Sequence, residues 1–264
     1  MLKILRGLSA FIAMAALSGC AALTIPPERL QTIHKISVAS LLTDDFYYYY
    51  YGFMVFTSEH DKINISHWRL NEYVNGKAGQ LLATNFEITA STKLDLSKFD
   101  GKQFDDLYSD SVSRRLFGAL EKPADAVDAF VLVVPENQKT MYQQFYYFVD
   151  NVGVMRRLKL GLVKATKFAV YAAYRIAVYD GKSGELIVQK RVVTPPGLGA
   201  PNSEYPLVDL PGSDDWTHSL PEIMRDHRQE IELQLKDLID KTLEQTFREI
   251  GLLPKTQTDS IAPR

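Results

Sequence analysis

Apolar residues follow two spacings along the chain, and each spacing predicts a different kind of element. Continuous or alternating β-rich runs indicate strands at residues 34–42, 49–56, 85–92 and 126–137. Apolar positions three and four apart predict helices over residues 66–84 and 103–121. Strands and helices therefore alternate through the first half of the chain.

The second half of the chain predicts a hairpin, a loop and a long helix. Two β-rich runs within residues 167–193 flank the turn from Asp180 to Gly184. Residues 194–215 are rich in Pro and Gly, which predicts a loop that runs over the surface. The spacing from Ser219 to Glu222 has the form of a capping box, and the apolar face of the helix that follows continues to Gly251. The order of elements predicts an α/β (or α+β) domain, in which helices cover one mixed β-sheet.

The first twenty residues predict export and a lipid anchor. Lys3 and Arg6 precede an apolar stretch at residues 8–17, which is too short to span a bilayer as a helix. Leu17-Ser18-Gly19-Cys20 follows, and Cys20 is the only cysteine of the chain. This run resembles the bacterial lipobox, in which the cysteine is lipidated and the peptide is cut just before it. The alternative is an ordinary signal peptide with a free cysteine.

The resemblance to a lipobox implies a domain plan and a location. Residues 1–19 are the expected lipoprotein signal peptide, and residues 20–33 are the expected lipidated Cys20 and tether. A single periplasmic domain is expected at 34–251 and a disordered tail at 252–264. In the lipobox family, a residue other than Asp after the cysteine favours the outer membrane, and here that residue is Ala21. The expected location is the cell envelope, at the outer membrane facing the periplasm.

The hairpin turn carries a second resemblance. The run "VYDGKSGELI" at 178–187 and the order of elements are similar to the small α/β domain of envelope lipoproteins and periplasmic proteins. That domain is shared by the curli-secretion lipoprotein, the penicillin-binding-protein activators and the amino-terminal domain of the Tol translocation protein. The resemblance implies a scaffold, secretion or activator role.

The sequence carries no catalytic, metal or cofactor motif that we would assign. "GKS" at 181–183 lacks the glycine that a phosphate-binding loop needs five residues earlier, where Ile176 stands. The zinc-ligand types at Glu59, His60, Asp61 and His67 fit no standard zinc spacing. The chain has 30 Lys and Arg against 32 Asp and Glu, which argues against nucleic acid as a partner.

Aromatic residues are concentrated in two windows. Of 27 Tyr and Phe residues, 13 lie at 46–56 and 142–148. Either both windows are half-buried strands, or they form a surface for a protein, glycan or lipid. If the strands before them run parallel, both windows leave the same sheet edge and adjoin. The predicted partner-binding residues are Tyr47, Tyr48, Tyr50, Phe145, Tyr146 and Tyr147.

These observations predict a non-enzymatic function. We expect a lipid-anchored envelope lipoprotein, held to the membrane by Cys20, whose domain binds or scaffolds an envelope protein or the cell-wall peptidoglycan. The alternative is an envelope hydrolase or carbohydrate-active enzyme whose catalytic residues are dispersed along the sequence. A deep cleft with converging carboxylates or a histidine would favour the enzyme, and a shallow aromatic patch would favour the binding domain.

Overall fold

The computed structural model describes residues 24–51, 59–89, 93–94, 118–121, 126–142, 145–157, 167–192, 195, 206–217 and 219–255. Only the backbone is described at 51, 93–94, 121, 137–142, 145–148 and 157. Outside the described residues lie the predicted signal peptide and Cys20. Most of the predicted tail and most of the predicted helix at 103–121 lie outside them as well.

The secondary structure mixes strands and helices, as the sequence predicts. The helices are α1 (Pro27–Leu30), α2 (Leu70–Leu82) and α3 (Leu220–Ile250). The strands are β1 (Lys35–Ser40), β2 (Asp45–Tyr51), β3 (Glu59–Asn64), β4 (Glu87–Ile88), β5 (Lys93–Leu94), β6 (Leu120–Glu121), β7 (Ala129–Pro135), β8 (Asn137–Tyr142), β9 (Phe145–Asp150), β10 (Val152–Arg157), β11 (Phe168–Ala172), β12 (Tyr174–Asp180), β13 (Leu186–Arg191) and β14 (Leu207–Asp209).

Two mixed sheets form the centre of the molecule. The first sheet has the order β13-β12-β7-β1-β4, and the second has the order β14-β11-β10-β2-β3. In the first sheet β1 runs parallel to β7 and β4, whereas β12 is antiparallel to β7. In the second sheet β2 runs parallel to β10. The predicted single-domain α/β class is confirmed, but two sheets stand where the sequence predicts one.

The two sheets meet where the chain passes from one to the other. Ala173 alone separates β11 of the second sheet from β12 of the first. Its N–H donates to the carbonyl of Asn151 at 2.6 Å, and its carbonyl accepts from the N–H of Glu136 at 3.1 Å. Asn151 has a φ of 49°, a left-handed conformation that Asn tolerates better than most residues. The predicted hairpin is therefore β12–β13 alone, because its first arm changes sheet at Ala173.

The two long helices share one core with both sheets. Val74, Ala78 and Leu82 of α2 are fully buried. The predicted apolar face of α3 is buried in the same core, at Ile231, Leu235, Leu238, Ile239, Leu243, Phe247 and Ile250. Because α3 contacts β11 and β14 of the second sheet and β13 of the first, its burial links the two sheets. No described helix is both long and apolar enough to cross a membrane.

The ends of α3 differ in how closely they follow the prediction. Gly251 takes a φ of 92°, and the N–H of Leu252 donates to the carbonyl of Phe247 at 2.9 Å, as in a Schellman motif. The predicted capping box is not formed. Ser219 makes no side-chain capping bond, and Glu222 instead accepts from the hydroxyl of Thr217 at 2.7 Å.

Two further predictions need correction. The predicted loop at 194–215 contains β14, which pairs with β11 in the second sheet. The predicted tether at 20–33 contains Ile25 and Ile33, both buried in the core, and the N–H of Ile25 donates to the carbonyl of Ile250 at 2.9 Å. The domain therefore begins before residue 34.

Candidate functional site

The tyrosines of β2 point alternately to two sides of the second sheet. Phe46 and Tyr48 face the main core and are 0% and 1% exposed. The ring of Tyr48 lies 6.2 Å from that of Phe168, and burial raises the pKa of Tyr48 to about 12. The prediction that Tyr48 belongs to an exposed binding surface is therefore wrong, because the side of β2 that carries Phe46 and Tyr48 belongs to the main core.

The other side of β2 presents an aromatic and polar surface. We call it the tyrosine face and define it by Asp45, Tyr47, Tyr49, His60 and Lys62. The rings of Tyr47 and Tyr49 are stacked at 6.3 Å, and His60 meets Tyr49 edge-on at 5.0 Å. The ammonium of Lys62 donates to Asp45 at 2.6 Å and lies 6.0 Å from the Tyr47 ring. Tyr47 is half-buried and His60 is exposed, so the face combines packed rings with accessible polar groups.

A second layer holds the tyrosine face in place. The hydroxyl of Tyr49 donates to the carboxylate of Asp150, and the hydroxyl of Tyr171 donates to the Asp150 carbonyl at 3.1 Å. Tyr171 packs over Gly153, where a Cβ would overlap both the Tyr171 hydroxyl and the carbonyl of Tyr47. Sequence reasoning missed Asp150, Tyr171 and Gly153. The one available signal was a glycine inside a strand, which often marks a close approach.

The strand β9, which carries most of the second aromatic window, ends beside β2. The predicted patch depends on the strands before the two windows running parallel. Those strands, β1 and β7, are parallel neighbours in the first sheet. β9 then returns along β8, and the last residue of β9, Asp150, reaches Tyr49. Phe145, Tyr146 and Tyr147 lie in β9, but their side chains are outside the described part of the chain, so one patch shared by both windows stays a prediction. Tyr50 is half-buried, with the guanidinium of Arg156 5.8 Å from its ring.

The electrostatics of the tyrosine face favour hydrogen bonding over proton transfer. Burial raises the pKa of Tyr47, and the charges of Asp150 and Asp45 raise it further. The hydrogen bond to Asp45 also raises the pKa of Lys62. Both groups therefore stay protonated at neutral pH and act as donors. A phenol or ammonium that holds its proton is suited to recognise carboxylate, carbonyl or hydroxyl groups.

Other candidates from the sequence have structural explanations. The carboxylate of Asp180 accepts from the N–H groups of Lys182 and Ser183 at 2.9 and 2.7 Å, which makes "GKS" part of a hairpin turn. Gly181 packs against the carbonyl of Val127, where a Cβ would overlap it. Within the described residues, no three His, Cys, Asp or Glu side chains are grouped so as to hold a metal ion.

Comparisons with known proteins identify no family. No protein-family model matches the chain, and no curated protein is significantly similar to it. The solved structure of the hypothetical protein CT253 from Chlamydia trachomatis is similar at 10% sequence identity, over 80% of this chain and 98% of that chain, with a TM-score of 0.24. A TM-score this low carries no inference about fold or function. The function has to be argued from the residues of this chain.

Proposed function

We propose that this protein is a lipid-anchored lipoprotein of the cell envelope, and that its α/β domain binds an envelope protein or the cell wall through the tyrosine face. The observation that carries the binding role is the half-buried ring of Tyr47, which stacks on the buried ring of Tyr49 beside Lys62 and Asp45. Tyrosine combines a large contact area with a hydroxyl and few rotatable bonds, so it is enriched at binding sites. Because Asp150 already holds the Tyr49 ring on which Tyr47 stacks, binding a partner would cost little side-chain entropy.

The proposed anchor lies close to the folded domain. Ile25 follows Cys20 by five positions, so a fully extended connection spans at most about 18 Å. Ile25 is itself fixed by its hydrogen bond to Ile250. Lipid chains on Cys20 would hold the domain beside the membrane, since each buried methylene contributes about 0.8 kcal/mol and two chains suffice for stable attachment.

Photo-crosslinking in living cells tests the binding role. A photoreactive side chain at Tyr47 should capture a discrete partner, whereas the same group at Leu233 should not, because Leu233 is 60% exposed on α3 and is not part of the tyrosine face. Tyr47→Ser should weaken capture from a reporter position at His60 and leave the melting temperature within a few degrees of the parent. Equal capture from Tyr47 and Leu233, or no capture from Tyr47, would contradict the proposed surface.

Metabolic labelling with a radioactive or clickable fatty acid tests the anchor. Cys20→Ser should abolish lipid labelling and leave the chain uncut between Gly19 and residue 20, because lipobox processing requires the modified thiol. Normal labelling of the variant would show that Cys20 is not the lipidated residue. Loss of labelling together with normal crosslinking from Tyr47 would separate the anchor from the binding role.

A further inference from the structure

A shallow depression lies at the edge of the second sheet, beside the core residue Tyr48. Its volume is about 320 Å³, and it lies between the edge strand β3 and the start of α3. Its lining residues are Tyr48, Glu59, His60, Asp61, Ser219, Leu220 and Pro221. In the antiparallel pairing of β2 with β3, Tyr48 stands opposite Asp61 and Tyr50 opposite Glu59. Directly opposed residues share a face of the sheet, so both carboxylates lie on the same side as Tyr48.

The Tyr48 side chain contributes a buried hydroxyl without a partner to the lining of this depression. Tyr48 is 1% exposed, and its hydroxyl has no hydrogen-bond partner among the described residues. Buried hydroxyls are nearly always paired, and leaving one unpaired destabilises the fold. A phenylalanine would fill the same space without this cost. An unpaired phenol in the wall of a depression therefore points to a ligand that supplies the missing hydrogen bond.

The start of α3 contributes a positive electrostatic potential to the depression, opposite in sign to that of Glu59 and Asp61. Ser219 makes no side-chain capping bond, and Pro221 has no N–H. The first turn of this 31-residue helix therefore brings the positive end of the helix dipole to the depression, whose lining includes Ser219, Leu220 and Pro221. A carboxylate is the natural partner for such a helix end. Glu59 and Asp61, on the strand across the depression, instead favour a cation.

We infer that the depression binds a small zwitterion of the amino-acid type. Its carboxylate would accept from the start of α3, its ammonium would lie against Glu59 and Asp61, and the Tyr48 hydroxyl would bond to one of the two charged groups. A lone cation would be repelled by the helix end, and a lone anion would be repelled by the two carboxylates. A molecule that carries both charges complements both walls.

Isothermal titration of the purified full chain in detergent with alanine tests the inference. Alaninamide lacks the carboxylate and N-acetylalanine lacks the ammonium, so each should bind at least about tenfold more weakly than alanine if both charges are recognised. Dialanine distinguishes a free amino acid from the end of a peptide, since its two charges are farther apart. Equal affinity for alanine and either blocked analogue, or no saturable binding of alanine, would overturn the inference.

Variants with matched chemistry complete the test. Tyr48→Phe should weaken alanine binding about tenfold while the melting temperature stays equal or rises, because the unpaired hydroxyl is removed. Tyr179→Phe, the same change at another buried tyrosine, should leave the affinity unchanged. Asp61→Asn should weaken alanine binding and spare N-acetylalanine. Parental affinity in both Tyr48→Phe and Asp61→Asn would overturn the inference, and photo-crosslinking from Tyr47 would be unaffected by either result.

Discussion

Glu136 holds the junction of the two sheets, and replacing it by glutamine tests how that junction is stabilised. Its side chain is 3% exposed. Its carboxylate accepts from Nη2 of Arg175 at 2.8 Å, and from Nη2 and Nε of Arg191 at 2.7 and 3.0 Å. Its backbone N–H and carbonyl bond to Ala173 and Asn151, the two residues at which neighbouring strands change sheet. The ion pairs of Glu136 therefore lie at the point where the chain passes between the sheets.

The expected loss can be worked from the burial of the partners. The side chain of Arg175 is 6% exposed and that of Arg191 is 35% exposed. Breaking a fully buried ion pair by neutralising one partner costs about 3–5 kcal/mol, because a charge remains buried without compensation. Glutamine keeps one acceptor and nearly the same shape, and Arg191 can turn toward water. We therefore expect Glu136→Gln to lower the free energy of unfolding by about 3 kcal/mol, at the lower end of that range.

Urea unfolding of the purified domain, followed by circular dichroism, measures this loss. The control is Glu185→Gln, the same chemical change in an exposed pair, since Arg29 and Glu185 are 46% and 66% exposed. That variant should lose less than about 1 kcal/mol. The slope of the unfolding free energy against urea should be unchanged in both variants, which shows that only stability has changed. If Glu136→Gln unfolds within about 1 kcal/mol of the parent, the cluster does not stabilise the junction.

Three further substitutions test the packing beneath the site, the core and an acidic group. Gly153→Ala should destabilise the domain by about 3 kcal/mol and disturb the tyrosine face, because the new methyl overlaps a backbone carbonyl; a melting temperature equal to the parent would contradict this. Leu243→Asp should cost about 4 kcal/mol or more by burying an unpaired charge, whereas Leu233→Asp on the exposed side of α3 should be nearly neutral in the same melt. Burial alone would raise the pKa of Asp128, but two backbone N–H donors outweigh it and hold the pKa below its ordinary value. The ionised Asp128 carboxylate therefore stabilises the fold at neutral pH, and this stabilisation is lost as the pH falls through the depressed pKa. Asp128→Asn should lower stability at pH 7 and make the loss of stability below about pH 4 shallower, and parallel pH profiles for the two proteins would refute this.

Local patterns in the sequence were enough for the elements that local rules govern. The spacing of apolar residues predicted α2 and the apolar face of α3, since one side of each helix must be buried. Gly251 was predicted to end α3, because a left-handed residue is needed there and glycine adopts it freely. Asp180 and the residues after it predicted the hairpin turn, because these residue types favour turn conformations. The apolar runs of β1 and β7 were long enough to indicate buried strands.

Tertiary structure alone decided how the sheets divide and which tyrosines are accessible. Ala173 looks like the middle of one strand, and it separates two sheets only because Asn151 and Glu136 take its hydrogen bonds. Five consecutive tyrosines predict alternation, but nothing local says that the side of Tyr48 joins the main core and that Tyr47 on the other side is half-buried. Asp150 joins the tyrosine face from about a hundred residues away, as its bond with Tyr49 shows. Such pairings depend on strand order, which is a property of the whole fold and not of any short stretch.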